Sequence, residues 1–576
     1  MRSTSTIGLL SALMISPVAA QTIYPVNRAE MLVGARFDLK VEFPGSPARS
    51  SVSVTIDGEN AEKALGATAQ YVEKEDGQDY AAFIIRNAEL KNPGVHTVTA
   101  KSGDKISTVK WELFDTPNGA VAKNVILFIG DGLSVAHRTA ARIMSKGLVE
   151  GRYGGELAID DMPHMALVST SGVDAVVTDS ANAMSAYATG HKTCVNAMGI
   201  YCSRARGNLS HPTVETLGEL VKRKRGLAVG VVTNTEIEDA TPAGMVAHTR
   251  RRADYNDIVK MFHDVKPEII MGGGSPNFLP KSTPGSKRAD EENFVEKFKA
   301  DGYAFVSTAA EMRAAAAAGK TRMLGLFNTS NVDGAYDRKF GKGATAKFPD
   351  QPDLVEQTRI AIDALSKNEK GFVLMVESGR IDKYAHSLDW ERSVYDTIML
   401  DNAVKAAKDF AEQRKDTLVI VVPDHAHMVG VLGTYDDDLP GGSPREKLGI
   451  YEKSKFPQYR PDKDGYPESV DLPQRLAFTF GGYPDHCFDA RPHLDGEFVP
   501  AVPGPEKGTY VANETACSNT SVRVAGNVPR DANAGVHSAD DVILTAMGPG
   551  SEAFRGRIDN TRVFRVITTA LGLAKD

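Results

Sequence analysis

Ligand-type side chains in this chain gather just after short apolar runs. The run at 125–129 ends in Gly130-Asp131-Gly132. Its glycines would let the backbone approach a bound group that the Asp131 carboxylate faces, although the same tripeptide also makes ordinary turns. The run at 372–376 is followed by Glu377 and then by Asp382-Lys383-Tyr384-Ala385-His386. Residues four apart on a helix share a face, so Asp382 and His386 could hold one ion, or form a surface carboxylate–imidazole pair. The run at 418–422 leads into Pro423-Asp424-His425-Ala426-His427. Asp424 and His425 offer an oxygen and a nitrogen suited to zinc, or they are hydrogen-bonded loop residues. His427 reads as a third ligand or as a support for a ligating carboxylate. Downstream, His537 adds an imidazole that would read as structural if it stood alone.

Thr178-Asp179-Ser180 precedes an alanine-rich run at 181–188 that favours a helix. A serine at a helix N-terminus lies in the positive end of the dipole, which attracts phosphate; Ser and Asp are also plain helix caps. No Gly-x-Ser-x-Gly elbow is present, which argues against an α/β-hydrolase. Taken together, six or more oxygen and nitrogen ligands without a Cys-x-x-Cys point to hydrolytic rather than structural metals. Two divalent ions roughly 4 Å apart would activate a nucleophile and stabilise a leaving oxygen.

The elements that must position these groups follow from periodicity. From residue 123, strand-length apolar runs at 125–129, 166–170, 228–233, 268–271, 372–376 and 418–422 alternate with helical patterns at 213–224, 254–263, 354–368 and 394–413. This predicts an α/β fold with a largely parallel sheet flanked by helices, whose ligands bind beyond the carboxyl ends of the strands. Residues 22–117 differ. Short alternating runs separated by Pro44-Gly45, Asp57-Gly58, Pro93-Gly94 and Gly103-Asp104 predict an immunoglobulin-like β-sandwich, linked through Thr116-Pro117-Asn118-Gly119 to a second domain at 118–576. Residues 433–535 read as a loop-rich insertion within that domain, or as a flexible one.

A length of 576 residues calls for at least two domains. The net charge of -7 gives no reason to expect nucleic-acid binding, and bound cations would reverse the local field for anionic substrates. Arg2, the apolar run at 7–15 and Pro17-Val18-Ala19-Ala20 predict a signal peptide over 1–20, a mature start at Gln21 and a periplasmic or secreted protein. The apolar run is too short for a membrane anchor. Cys194, Cys202, Cys487 and Cys517 predict two disulfides; Cys194–Cys202 with Cys487–Cys517 is one of three connectivities.

These motifs, with Asp239-Ala240-Thr241-Pro242-Ala243 between them, resemble the alkaline phosphatases, in that family's order, over about 123–432 and 535–574. The resemblance implies hydrolysis of phosphate monoesters with Ser180 as nucleophile, forming a phosphoseryl intermediate. It implies one zinc held by Asp382, His386 and His537, and a second held by Asp131, Asp424 and His425 with Ser180 as a further ligand. It implies one magnesium held by Asp131, Thr241 and Glu377, with Asp239 nearby through water. Arg252, in the run Arg250-Arg251-Arg252, would clamp two phosphate oxygens and be held by Asp179; the run otherwise reads as a solvated basic face. Lys383 resembles the lysine beside the magnesium in bacterial members, and a homodimer is expected. The amino-terminal β-rich region and the 433–535 insertion depart from the compact bacterial form. Two other readings are a phosphodiesterase or sulfatase of the same superfamily, and a non-catalytic binding protein on the same core.

Overall fold

The computed structural model describes residues 20–342, 345 and 347–574. The expected signal peptide, except for its last position, lies outside the described residues.

Residues 22–114 form two small sheets. One orders strands Thr22–Tyr24, Arg36–Pro44, Tyr80–Glu89 and Gln70–Val72; the other orders Ala29–Leu32, Lys105–Phe114, Gly94–Ser102, Val52–Ile56 and Glu59–Asn60. Between them Leu39, Val41, Phe43, Phe83, Val98 and Trp111 are buried, and Trp111 Nε1 donates to the Pro25 carbonyl at 2.9 Å. Strand alternation places Asp38, Lys40 and Glu42 on the opposite face, where solvent is the expectation. That face is instead covered by the segment around 203–213, and these charged residues are 2%, 0% and 1% exposed. Lys40 Nζ is satisfied by Glu75 at 2.8 Å and Ser203 Oγ at 3.0 Å.

The central sheet has ten strands: β1 (Asn124–Gly130), β2 (His164–Ser169), β3 (Ala228–Glu236), β4 (Ile269–Gly273), β5 (Ala304–Val306), β6 (Met323–Leu326), β7 (Phe372–Ser378), β8 (Thr417–Val422), β9 (Val542–Met547) and β10 (Arg555–Asp559). Their order is β5-β6-β4-β3-β7-β1-β8-β9-β2-β10, and only β9 runs against the rest. Val125, Leu127 and Ile129 of β1 join one core; Ile126 and Phe128 join the other, so helices cover both faces. The first core includes α1 (Ser180–Thr189) and α2 (Thr561–Ala570); the second includes α3 (Leu354–Leu365) and α4 (Trp390–Arg414).

The predicted helix at 213–224 begins at Leu217, because Thr216 and Glu219 form a capping box and Thr213 and Val214 enter β-bridges. The predicted 394–413 helix starts earlier, at Trp390, where the Asp389 side chain accepts from Arg392 N. Strands β5, β6, β9 and β10 have no counterpart among the predicted strands. Within 433–535, short strands such as Gln474–Phe480 alternate with long loops. The disulfides are Cys194–Cys202 and Cys487–Cys517.

Candidate active site

Register brings the ligands together. Ile129 pairs with Glu377 in β7 and with Val422 in β8, so Asp131, Glu377 and Asp424 leave the sheet at one edge. Gly132 has φ 65°; a Cβ there would come within 3.0 Å of Asp382 Oδ1 and 3.3 Å of its Cα, so the close approach of Asp382 needs glycine. The Gly132 amide donates to Asp424 Oδ1 at 3.1 Å.

Asp382 and His386 lie one turn apart on a short helix, α5 (Arg380–His386), and gather with His427 and His537. His386 Nε2 is 3.2 Å from Asp382 Oδ2, and His537 Nε2 is 3.3 Å from Oδ1. The two histidine Nε2 atoms are 3.1 Å apart. Each ring is oriented from behind: His386 Nδ1 contacts the Gly535 carbonyl at 2.6 Å, and His537 Nδ1 the Thr178 carbonyl at 2.8 Å. A carbonyl only accepts, so each Nδ1 carries a proton, which leaves Nε2 as the nitrogen each ring can offer to a metal. His427 Nε2 stands 3.8 Å from Asp382 Oδ1. Burial pushes the His427 imidazole well below its usual range and holds it neutral.

Asp131, Asp424 and His425 form the second cluster, fully buried. Burial and the facing carboxylates of Asp131 and Asp382 push Asp424 well above the usual carboxylate range. Ser180 Oγ lies 3.4 Å from both Asp131 oxygens and 3.3 Å from His425 Nε2. It is the first residue of α1, and Asp179 is the N-cap, accepting from Asn182 N.

On the far side of Asp131, burial and the Asp131 charge raise Glu377 to about 8, against the opposing hydrogen bond from Thr233. Glu377 Oε2 accepts from Thr235 Oγ1 at 3.0 Å and from Thr233 Oγ1. Neither threonine is anticipated from sequence, although the i, i+2 pair on β3 faces one way and Thr233 is the register partner of Glu377. Thr241 Oγ1 is buried with no partner, as are Asp382 Oδ1 and Asp424 Oδ2 by hydrogen-bond criteria. Such orphaned oxygens among crowded buried carboxylates are what cations would satisfy.

Arg252 bridges two carboxylates, with Nη1 3.3 Å from Asp179 Oδ2 and Nη2 2.9 Å from Asp239 Oδ1. Lys383 Nζ takes the other Asp239 oxygen at 2.7 Å. Burial opposes the Asp239 charge, but Lys383 and Arg252 outweigh it and hold the carboxyl far below its usual range. All fourteen sequence-derived site residues, His427 included, therefore lie in this connected region or, for Thr241, on the short helix that Asp239 caps.

The family model described as alkaline phosphatase matches residues 122–466. The alkaline phosphatase of Escherichia coli (strain K12) is 33% identical over 379 residues, 59% of this chain and 76% of that protein. The tissue-nonspecific isozyme of Gallus gallus is 33% identical over 468 residues, 76% of this chain and 82% of that protein.

The chain belongs to the alkaline phosphatase family.

It is a phosphatase. Among solved structures, Thermus thermophilus alkaline phosphatase superposes with a TM-score of 0.57 at 25% identity, over 80% of this chain and 93% of that one. The alkaline phosphatase of the Antarctic bacterium TAB5 shares the fold, with a TM-score of 0.54 at 20% identity over 78% of this chain and 99% of that one. The family match begins after the two amino-terminal sheets of this chain.

Proposed function

We propose that the chain hydrolyses phosphate monoesters in two steps through a phosphoseryl intermediate on Ser180. The observation that carries this reading is the place of Ser180 Oγ, at the first turn of a helix and 3.3 Å from His425 Nε2. In the first step Oγ bonds to phosphorus and gives up its proton to solvent, the phosphorus–ester oxygen bond breaks, and the leaving oxygen takes a proton from solvent to depart as the alcohol. Water oxygen then bonds to phosphorus, the Oγ–phosphorus bond breaks, and a proton from that water restores the Ser180 hydroxyl as orthophosphate is released. Arg252 has a planar fork suited to two phosphate oxygens, and Asp179 and Asp239 hold it from behind. Lys383 keeps Asp239 charged and aligned.

The donor sets fit two zinc ions and one magnesium. Asp382, His386 and His537 form one mixed set, Asp131, Asp424 and His425 with Ser180 the other; an all-oxygen set for magnesium would draw on Asp131, Glu377 and Thr241, with Asp239 through water. Bound there, the ions would supply Lewis acidity and positive charge to the reacting oxygens. His427 stands beside the first set, its Nε2 3.8 Å from Asp382 Oδ1. Export to the periplasm or medium is consistent with two disulfides. A homodimer is the assembly that the family resemblance implies.

Rates on a phenyl phosphate monoester and its methyl diester test the reading. Faster monoester cleavage is expected; faster diester cleavage would overturn it in favour of a phosphodiesterase.

A further inference from the structure

A continuous run of main-chain bridges connects the amino-terminal sheets to Arg252. Phe37, on the Arg36–Pro44 strand, bridges to Val214; Thr213 bridges to Ile200; Met198 bridges to Thr249. The ladder ends on Asn196, whose carbonyl accepts from the Arg252 amide at 2.8 Å. The Asn196 amide donates to Asp179 Oδ1 at 3.2 Å. One peptide unit on each side of Asn196 therefore touches the arginine and its carboxylate partner. Asn196 holds φ at 68°, a left-handed conformation that asparagine tolerates and β-branched residues do not.

The module grips the hairpin over 200–213, whose arms meet at the antiparallel Ile200–Thr213 bridge, at several points. Asp38 Oδ2 accepts from Thr213 N at 2.9 Å and Thr213 Oγ1 at 3.0 Å, while Arg86 donates to the same oxygen at 2.6 Å. Glu42 Oε1 accepts from Arg204 N at 2.7 Å, and Tyr24 donates to the Cys202 carbonyl at 3.1 Å. The Cys194–Cys202 disulfide closes the segment that carries Asn196. This is more than a linker requires, and it explains why the buried charged face of the Arg36–Pro44 strand is directed at the hairpin.

We infer that Asn196 is a positioning residue, through which the amino-terminal module fixes the Arg252 guanidinium against the phosphate. This rests on the reading of Arg252 as the phosphate clamp, and Arg252→Ala is included to test that reading separately.

The experiment measures the inhibition constant of orthophosphate, together with kcat, KM, metal content and melting temperature, on metal-loaded full-length protein. Arg252→Ala should raise the orthophosphate constant by on the order of tenfold, as expected for loss of charge-assisted hydrogen bonds. Asn196→Val should raise it by about threefold or more, since small displacements of a binding group are costly. KM should rise with it, and metal content should stay unchanged. Asn196→Gly, which accepts the positive φ and keeps both main-chain bonds, should stay within about twofold of the parent. Asp38→Asn is isosteric, lies in the module and weakens the grip by removing the carboxylate charge that Thr213 and Arg86 share; it should shift the constant in the same direction as Asn196→Val, and it carries the test if Asn196→Val does not fold. If Arg252→Ala raises the constant while the Asn196→Val and Asp38→Asn proteins change only in melting temperature, the module is structural and the inference is wrong. If Arg252→Ala leaves the constant unchanged, the clamp reading falls and the inference falls with it.

Discussion

His386 and His537 point their Nε2 atoms at one another across 3.1 Å, while each Nδ1 bonds to a main-chain carbonyl. With both Nε2 atoms and the Asp382 carboxylate converging, the cluster offers a cation three donors at once. His537→Ala should remove one metal equivalent and lower turnover by at least the 10- to 100-fold typical, to within about a factor of ten, for loss of a mere outer support. Metal analysis with steady-state rates checks this; full metal content in the variant would exclude His537 as a ligand.

Thr241→Val replaces a buried, unpaired hydroxyl by a methyl group. In chelator the variant should be more stable than the parent by about 1 kcal/mol, because an unsatisfied polar group is gone. With magnesium restored, the parent should gain more stability and more activity than the variant. Urea unfolding in both conditions checks the crossover, and destabilisation of the variant in chelator would contradict it.

A pH effect arises away from the metal ligands. His248 Nε2 contacts Glu219 at 3.0 Å, and Nδ1 meets the Gly199 carbonyl at 2.8 Å. Burial opposes its charge, but Glu219 overcomes this and lifts the imidazole from 6.5 to about 9. A raised folded value stabilises the protein fully below pH 6.5, and that stability is lost as pH rises through about 9. The melting-temperature gap between the parent and His248→Gln should therefore be widest at and below pH 6.5, shrink as pH rises from 6.5 towards 9, and close above about 9. A gap constant over that range would show that the pair is not ionised.

Much of the site is legible in sequence because its ligands follow uninterrupted buried strands: the β1, β7 and β8 runs announce Asp131, Glu377 and Asp424. Asp382 and His386 are legible through helical spacing. What escapes is set by tertiary pairing. Thr233 and Thr235 matter only through the register that faces them to Glu377. Asp38, Lys40 and Glu42 look solvated by alternation and become buried only when the 203–213 segment covers them. Asn196 acts through its main chain, which leaves no side-chain signal. Strand β10, read as Arg-Gly-Arg-Ile-Asp, is polar because it is a sheet edge.

The most direct test is to trap the covalent intermediate. Metal-loaded protein is mixed with a phosphomonoester at acid pH, where hydrolysis of a phosphoserine is slowed, then quenched and peptide-mapped. One phosphoryl group on Ser180 is predicted, and Ser180→Ala should lose both the label and most turnover while keeping its metals. A phosphoryl group found on another residue, or wild-type turnover in Ser180→Ala, would contradict the account.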